Sequence, residues 1–177
     1  WFNTTRMHVF THLKPESEGV TGQGLYADGM AEHDGHVGQL LDKLDKLKIA
    51  DNTIVMYSTD NGAELILWPD GGYTPFRGEK NTHWEGGYRV PMMVRWPDKS
   101  KPDQVSNEII AMMDWMPTLL AAAGDSNIKA KLKNGMRVGS EAYKVHLDGY
   151  NFLPHFTDTS KKGPREEFIY TSDTGDI

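Results

Sequence analysis

The sequence predicts an α/β fold with a mostly parallel sheet and flanking helices. Three observations carry that reading. A β-branched apolar run, Thr53-Ile54-Val55-Met56-Tyr57-Ser58-Thr59, has the composition of a strand buried on both faces. Helical signals stand on either side of it: apolar spacing in Met30, Val37, Leu40, Leu41, Leu44 and Leu47 before, and an N-cap at Asp114 with a stop at Gly124 after. Strands and helices therefore alternate, which favours a layered sheet with crossover connections. With 38% hydrophobic and 25% charged residues over 177 positions, the chain has the balance of a folded domain rather than a disordered one. That length also suffices for a real core.

Taken in order, residues 1–5 predict a short strand, followed by a polar loop through His8, His12 and Lys14 to Gly24. Residues 25–48 predict a helix with Lys43, Asp45, Lys46 and Lys48 on its outer face. Asp51-Asn52 turns the chain into the strand at 53–59, which ends at Asp60-Asn61-Gly62. Residues 63–87 form a long Gly-rich loop, and loops of that length in a compact domain are usually functional. A strand is expected over 88–96. Asp114 reads as the N-cap of the helix ending at Gly124, with Pro117 tolerated in its first turn. A shorter helix at 128–132 and a strand at 168–171 complete the reading. The methionine pairs Met92-Met93 and Met112-Met113 are expected to fill the core.

Composition excludes several classes of function. The net charge is -6, from 19 Lys+Arg against 25 Asp+Glu, and no Lys/Arg-rich run is present, which argues against a nucleic-acid partner. The absence of cysteine removes disulfides and thiol chemistry. No apolar stretch approaches the ~20 residues of a membrane span. The mean hydropathy of -0.57 points to long loops, or to surface that something else covers.

Three clusters could carry chemistry. Asp60 and Asn61 place two oxygen-bearing side chains at a strand's carboxyl end, where α/β sheets gather ligands. They suit a hard cation such as Ca²⁺ or Mg²⁺, although Asp-Asn-Gly is equally the sequence of an Asx turn. The run from Arg77 to Pro91 brings Arg77, Lys80, His83 and Arg89 into a short loop hinged at Gly78, Gly86 and Gly87. Such a loop can wrap a tetrahedral anion; a solvated basic loop anchored by Trp84 is the plainer reading. His8 can donate to an oxyanion or act as an acid, and it can equally be a surface imidazole. His12 stands four residues on, without a helical context that would make the two a zinc pair. His33 and His36 read as structural or exposed, and His146 and His155 receive no role.

The order of these elements resembles the sulfatase family, and bacterial arylsulfatases in particular. Residues 51–62 resemble the family's strand ending in its metal-binding Asp-Asn-Gly. Residues 80–91, continuing into Arg95-Trp96-Pro97, resemble its lysine loop and next strand. Asp114-Trp115-Met116-Pro117-Thr118-Leu119-Leu120 resembles the following helix, and Asp148-Gly149-Tyr150-Asn151 a later segment. The resemblance implies a partial alkaline-phosphatase-like fold, one incomplete sulfatase domain over 1–177, and hydrolysis of sulfate monoesters. It implies Asp60 and Asn61 as Ca²⁺ ligands, Lys80 as a catalytic residue on the sulfate, and His8 as a catalytic residue at the sulfate or leaving-group oxygen, with His83 as a further substrate contact. The match at His8 is looser, because Met7 stands where the family has Pro, and His12 is the substitute.

One departure from the family is plain. The formylglycine nucleophile arises from Cys or Ser in a Cys/Ser-x-Pro-x-Arg motif, and neither occurs in that context here. The resemblance places that segment, with the Asp pair that completes the calcium site, upstream of Trp1. The chain alone is therefore expected to be inactive and to bind calcium weakly. The substrate expected is a sulfate-ester small molecule or a sulfated glycan, with a periplasmic or secreted location for the parent and self-association through exposed core surface. A phosphomonoester or phosphodiester hydrolase of the same superfamily, and a non-catalytic binding module, are the competing readings.

Overall fold

The computed structural model describes residues 1–68 and 70–171, which fall into two compact units. The first holds Trp1–Pro97 and takes in Tyr170 from late in the chain; the second is Asp98–Ile169.

In the first unit, helix α1 spans Leu25–Lys46, close to the helix that apolar spacing predicts. Lys43 and Lys46 lie in its last turn, where cations suit the carbonyl end of the helix dipole. Asp28, buried in its first turn, accepts hydrogen bonds from the peptide N–H groups of Gly19 and Thr21 and from the Thr21 hydroxyl, so it organises the preceding loop. These bonds hold the Asp28 carboxyl below its ordinary range, the Thr21 hydroxyl being the largest cause. Residues 1–5 form no strand. They are tied instead to α1, through Arg6 to Glu32 (2.5 Å) and the Thr4 hydroxyl to His33 Nδ1 (3.3 Å). The Ser17 hydroxyl first, and then Arg6, pull the Glu32 carboxyl down to about 2.

Strand β1, Val55–Ser58, pairs with β2, Met92–Arg95, in antiparallel register, Val55 opposite Arg95 and Ser58 opposite Met92. A mostly parallel sheet was the expectation; among the described residues both strand pairs are antiparallel. Parallel neighbours need a crossover, usually a full helix. Among the described residues between β1 and β2 the helix is a single turn, α2, Glu85–Tyr88, and the chain returns in the opposite direction. The strand expected over 88–96 is correspondingly shorter. β1 is half-buried along its length, and Trp96, just past β2, is the buried apolar side chain of this unit among the described residues.

The second unit packs around α3, Trp115–Ala122, α4, Ile128–Asn134, and α5, Leu153–Thr157, with a small hairpin of β3, Met136–Val138, and β4, Glu141–Tyr143. Phe152 is fully buried, and Trp115 stacks on Phe156 at 5.4 Å between ring centres. Asp114 is not the simple N-cap expected. Its carboxylate accepts from the Ala111 and Tyr150 peptide N–H groups (2.8 and 2.7 Å) and from Arg165 Nε and Nη2 (2.9 and 2.7 Å). Thr118, also buried, bridges the Asp114 carbonyl to the Phe152 N–H. The second methionine pair does not fill the core: Met112 and Met113 are about half exposed, as is Met93 from the first. The strand expected at 168–171 is coil. His155, given no role by sequence, is buried and holds Ser106 and the Lys161 carbonyl.

Candidate functional site

The strand exit and the basic loop belong to one backbone arrangement. The Ser58 hydroxyl donates to the Pro91 carbonyl (3.1 Å), closing β1 against the start of β2. Thr59 then donates to the Asn61 carbonyl (3.1 Å) and turns the chain. Asp60 is exposed. Asn61 is half-buried, and its Nδ2 donates to the Gly62 carbonyl (2.8 Å). That bond fixes the amide and leaves Oδ1 with no hydrogen bond among the described residues. Asp60 and Asn61 thus offer a carboxylate and an amide oxygen on successive residues, the chemistry a hard cation takes. Among the described residues no group of three His, Asp or Glu side chains stands close enough to hold a metal.

Gly62 is where the two segments meet. Its N–H donates to the Gly87 carbonyl (2.9 Å), and the Lys80 N–H donates to the Ala63 carbonyl (2.8 Å). A Cβ at Gly62 would strike the Gly86 carbonyl, so only glycine permits this approach. The loop also closes on itself, with Gly86 donating to Arg77 (2.7 Å) and Gly87 to Trp84 (2.8 Å). Gly78 takes the left-handed backbone, φ 82°, that favours glycine.

The four cations of the loop do not converge as a group. The Arg77 guanidinium stacks on the Trp84 ring at 3.5 Å. Arg89 lies 4.0 Å over Phe76 and pairs with Glu85 at 2.6 Å. Both arginines are therefore engaged in holding the loop. His83 is exposed and sits edge-on to Tyr170 at 6.3 Å, while Tyr170 stacks on Tyr88 at 4.9 Å. Lys80 is different: it is half-buried, and its ammonium stands 3.5 Å from Glu64. Glu64 carries no motif signal; in sequence it is one acid in a long loop, and only the fold brings it to Lys80.

His8 is exposed. Its N–H donates to the Thr5 carbonyl, and its own carbonyl accepts from the Thr11 hydroxyl. His8 and His12 both line an open depression of about 550 Å³ with Arg6, Val9 and Phe10. No hydrogen bond or ion pair of the described residues joins either imidazole to Asp60, Asn61 or Lys80. His33 is structural, as one of the two readings had it. It is buried in α1, and its Nε2 lies 3.1 Å from the Tyr57 hydroxyl of β1. Burial, and next the charge of His36, push its pKa down, so it is neutral near pH 7.

The sulfatase family model matches residues 14–125, a span that contains the strand exit and the whole basic loop. The chain belongs to the sulfatase family. His8 and His12 lie just before the matched span of this sulfatase segment. Rat steryl-sulfatase is 42% identical over 126 residues, covering 67% of this chain and 22% of the relative. Human N-acetylgalactosamine-6-sulfatase is 41% identical over 158 residues, covering 88% and 27%. Among solved structures, the PsFucS1 sulfatase from Pseudoalteromonas sp. superposes with a TM-score of 0.76 at 26% identity, over 91% of this chain and 30% of that one. The chain thus spans about a quarter of the length of the curated relatives it matches, and it is part of the alkaline-phosphatase-like α/β fold.

Proposed function

We propose that this sulfatase segment supplies one wall of a sulfuric-ester hydrolase active site, with Lys80 on the sulfate and Asp60 and Asn61 on a divalent cation, Ca²⁺ in the family. The observation that carries the reading is the pair of backbone bonds, Gly62 to Gly87 and Lys80 to Ala63, which anchor the lysine loop to the exit of the strand that bears Asp60 and Asn61.

The chemistry follows from where charge develops. A sulfate monoester loses an alkoxide or phenoxide, and negative charge grows on the sulfuryl and leaving-group oxygens. Preorganised positive groups lower that barrier more than any other single factor. Lys80 supplies a compact, rotatable ammonium for a sulfuryl oxygen. Among the described residues the Asp60 carboxylate has no hydrogen bond or ion pair, and the Asn61 amide oxygen is left open by its own Nδ2 bond to the Gly62 carbonyl. A bound cation would neutralise sulfuryl charge as a Lewis acid. An imidazole at His8, or at His12 in the same depression, would protonate the leaving oxygen; His83, exposed on the basic loop, makes a further substrate contact. The substrate is a sulfated small molecule or glycan; the names of the relatives include both a steroid and a hexosamine sulfatase. A formylglycine nucleophile and the remaining cation ligands come from outside this chain.

In the full-length sulfatase carrying this segment, Lys80→Ala is expected to lower kcat for an aryl sulfate by about 10²–10³-fold, the scale of losing one preorganised transition-state contact. The fold, followed by circular dichroism, is expected to be unchanged. Activity within twofold of wild type removes Lys80 from the site. A wild-type enzyme that cleaves aryl phosphates in preference to sulfates would support the phosphoesterase reading instead.

A further inference from the structure

Lys80 is held by a side chain that no motif assigns. The Lys80–Glu64 pair differs from the other lysine ion pairs of the described residues. Lys131–Asp125, Lys161–Asp158 and Lys162–Glu166 join residues three to six apart, and each lysine is about half exposed or more. Lys80 and Glu64 are sixteen residues apart, and their side chains are only 23% and 21% exposed. Fixed points flank the pair on both sides. The Lys80 N–H is bound to the Ala63 carbonyl, next to Glu64. The carboxylate of Glu79, next to Lys80, accepts the N–H groups of Leu65 (2.6 Å) and Ile66 (3.4 Å). The backbones of residues 63–66 and 79–80 are thus clamped together, and the Glu64 and Lys80 side chains project from that clamp toward each other.

From this arrangement we propose that Glu64 is a positioning residue for Lys80: its carboxylate holds the ammonium in place in the empty site and yields it to a sulfuryl oxygen when the ester binds. The inference rests on the reading of Lys80 as the sulfate contact. A lysine has a long flexible stem, and unheld it samples many rotamers; a partner fixed by the same loop narrows that choice, with the ammonium 3.5 Å from the Glu64 carboxylate. The carboxylate is also a competitor, since it carries the charge type of the substrate and stands at the same cation. Glu64 therefore favours catalytic aim at the expense of ground-state affinity for sulfate, and it makes release of inorganic sulfate easier. A residue that merely supported the loop would do neither.

The two effects have opposite signs and can be read separately in the full-length enzyme. Glu64→Gln keeps the shape and removes the charge. It is expected to lower kcat for an aryl sulfate several-fold while making inhibition by inorganic sulfate about three- to fivefold tighter, the scale of one partly exposed ion pair. Glu64→Asp, which keeps the charge, is expected to restore wild-type sulfate inhibition. In a Lys80→Ala background, Glu64→Gln is expected to leave sulfate inhibition unchanged. Unchanged or weaker sulfate binding in Glu64→Gln overturns the proposal, as does an equal effect in the Lys80→Ala background. If the Gln variant loses thermal stability, the Asp variant decides: wild-type inhibition supports the pair, and weakened inhibition overturns it. If Lys80→Ala itself leaves sulfate inhibition untouched, the failure lies in the reading of Lys80.

Discussion

Asp114 shows how much one side chain can carry when its environment is buried. Four donors converge on its carboxylate, two from peptide groups and two from Arg165, and it is 1% exposed. Arg165 is buried beside it, and the Asp114 bond is the main cause of its raised pKa. Removing one member of a buried, fully bonded ion pair strands the other charge, which costs about 3–5 kcal/mol. Asp114→Asn is accordingly expected to lower the unfolding free energy by about that amount, read from the denaturant midpoint at constant slope; a loss below ~1 kcal/mol would show that Arg165 finds water instead. The sequence marked Asp114 as the helix N-cap, which is the position it holds, but its side chain makes no capping bond to that helix and bonds Ala111, Tyr150 and Arg165 instead. Its partner lies fifty-one residues away, and nothing local in either segment announces the pairing. The same holds for Glu64 and Lys80: the lysine was legible from its Gly-hinged context, and the glutamate was not.

At the scale of elements, the strand-to-loop junction is a backbone device. A Cβ at Gly62 would strike the Gly86 carbonyl, and a Cβ at Gly86 would strike the carbonyls of Phe76, Arg77 and Gly78. Gly62→Ala is expected to cost about 1–3 kcal/mol through overpacking and to push the loop of residues 77–87 off the strand exit. Faster proteolysis within that loop, together with a fall in sulfatase activity in the full-length enzyme, would record the displacement; a variant with wild-type activity would show that the loop is positioned by other contacts. Helix α1 and strand β1 were read correctly in place because each rests on a dense local period of apolar residues. The strands expected at 1–5 and 168–171 were not formed. Both are short segments rich in aromatic and β-branched residues, and such segments become strands only when a neighbouring edge pairs with them.

The whole molecule exposes more surface than its mass accounts for. Two separate compact units of this total mass would expose about 10,000 Å², whereas the chain exposes 12690 Å². Large apolar side chains contribute to the excess, among them Trp1, Phe10 and Ile66; on and beside α3, Met112, Met116 and Leu119 are two-fifths to one-half exposed. Surface of this kind seeks a cover. The 177-residue chain by itself is therefore expected to self-associate, its sedimentation coefficient rising with concentration, and to show no turnover of aryl sulfates; a monomeric chain with measurable turnover would contradict both expectations. Among the described residues, no helix is long and apolar enough to cross a membrane. The family, the α/β class, the long helix, strand β1 and the residue types at the strand exit could all be read without coordinates, because each is written in contiguous residues or short spacings. The antiparallel pairing of β1 with β2, the stacking of Arg77 and Arg89 on aromatic rings and the meeting of Glu64 with Lys80 emerged from the folded chain alone. Those outcomes depend on contacts between residues distant in the chain, whose energies exist only once the backbone has brought them together.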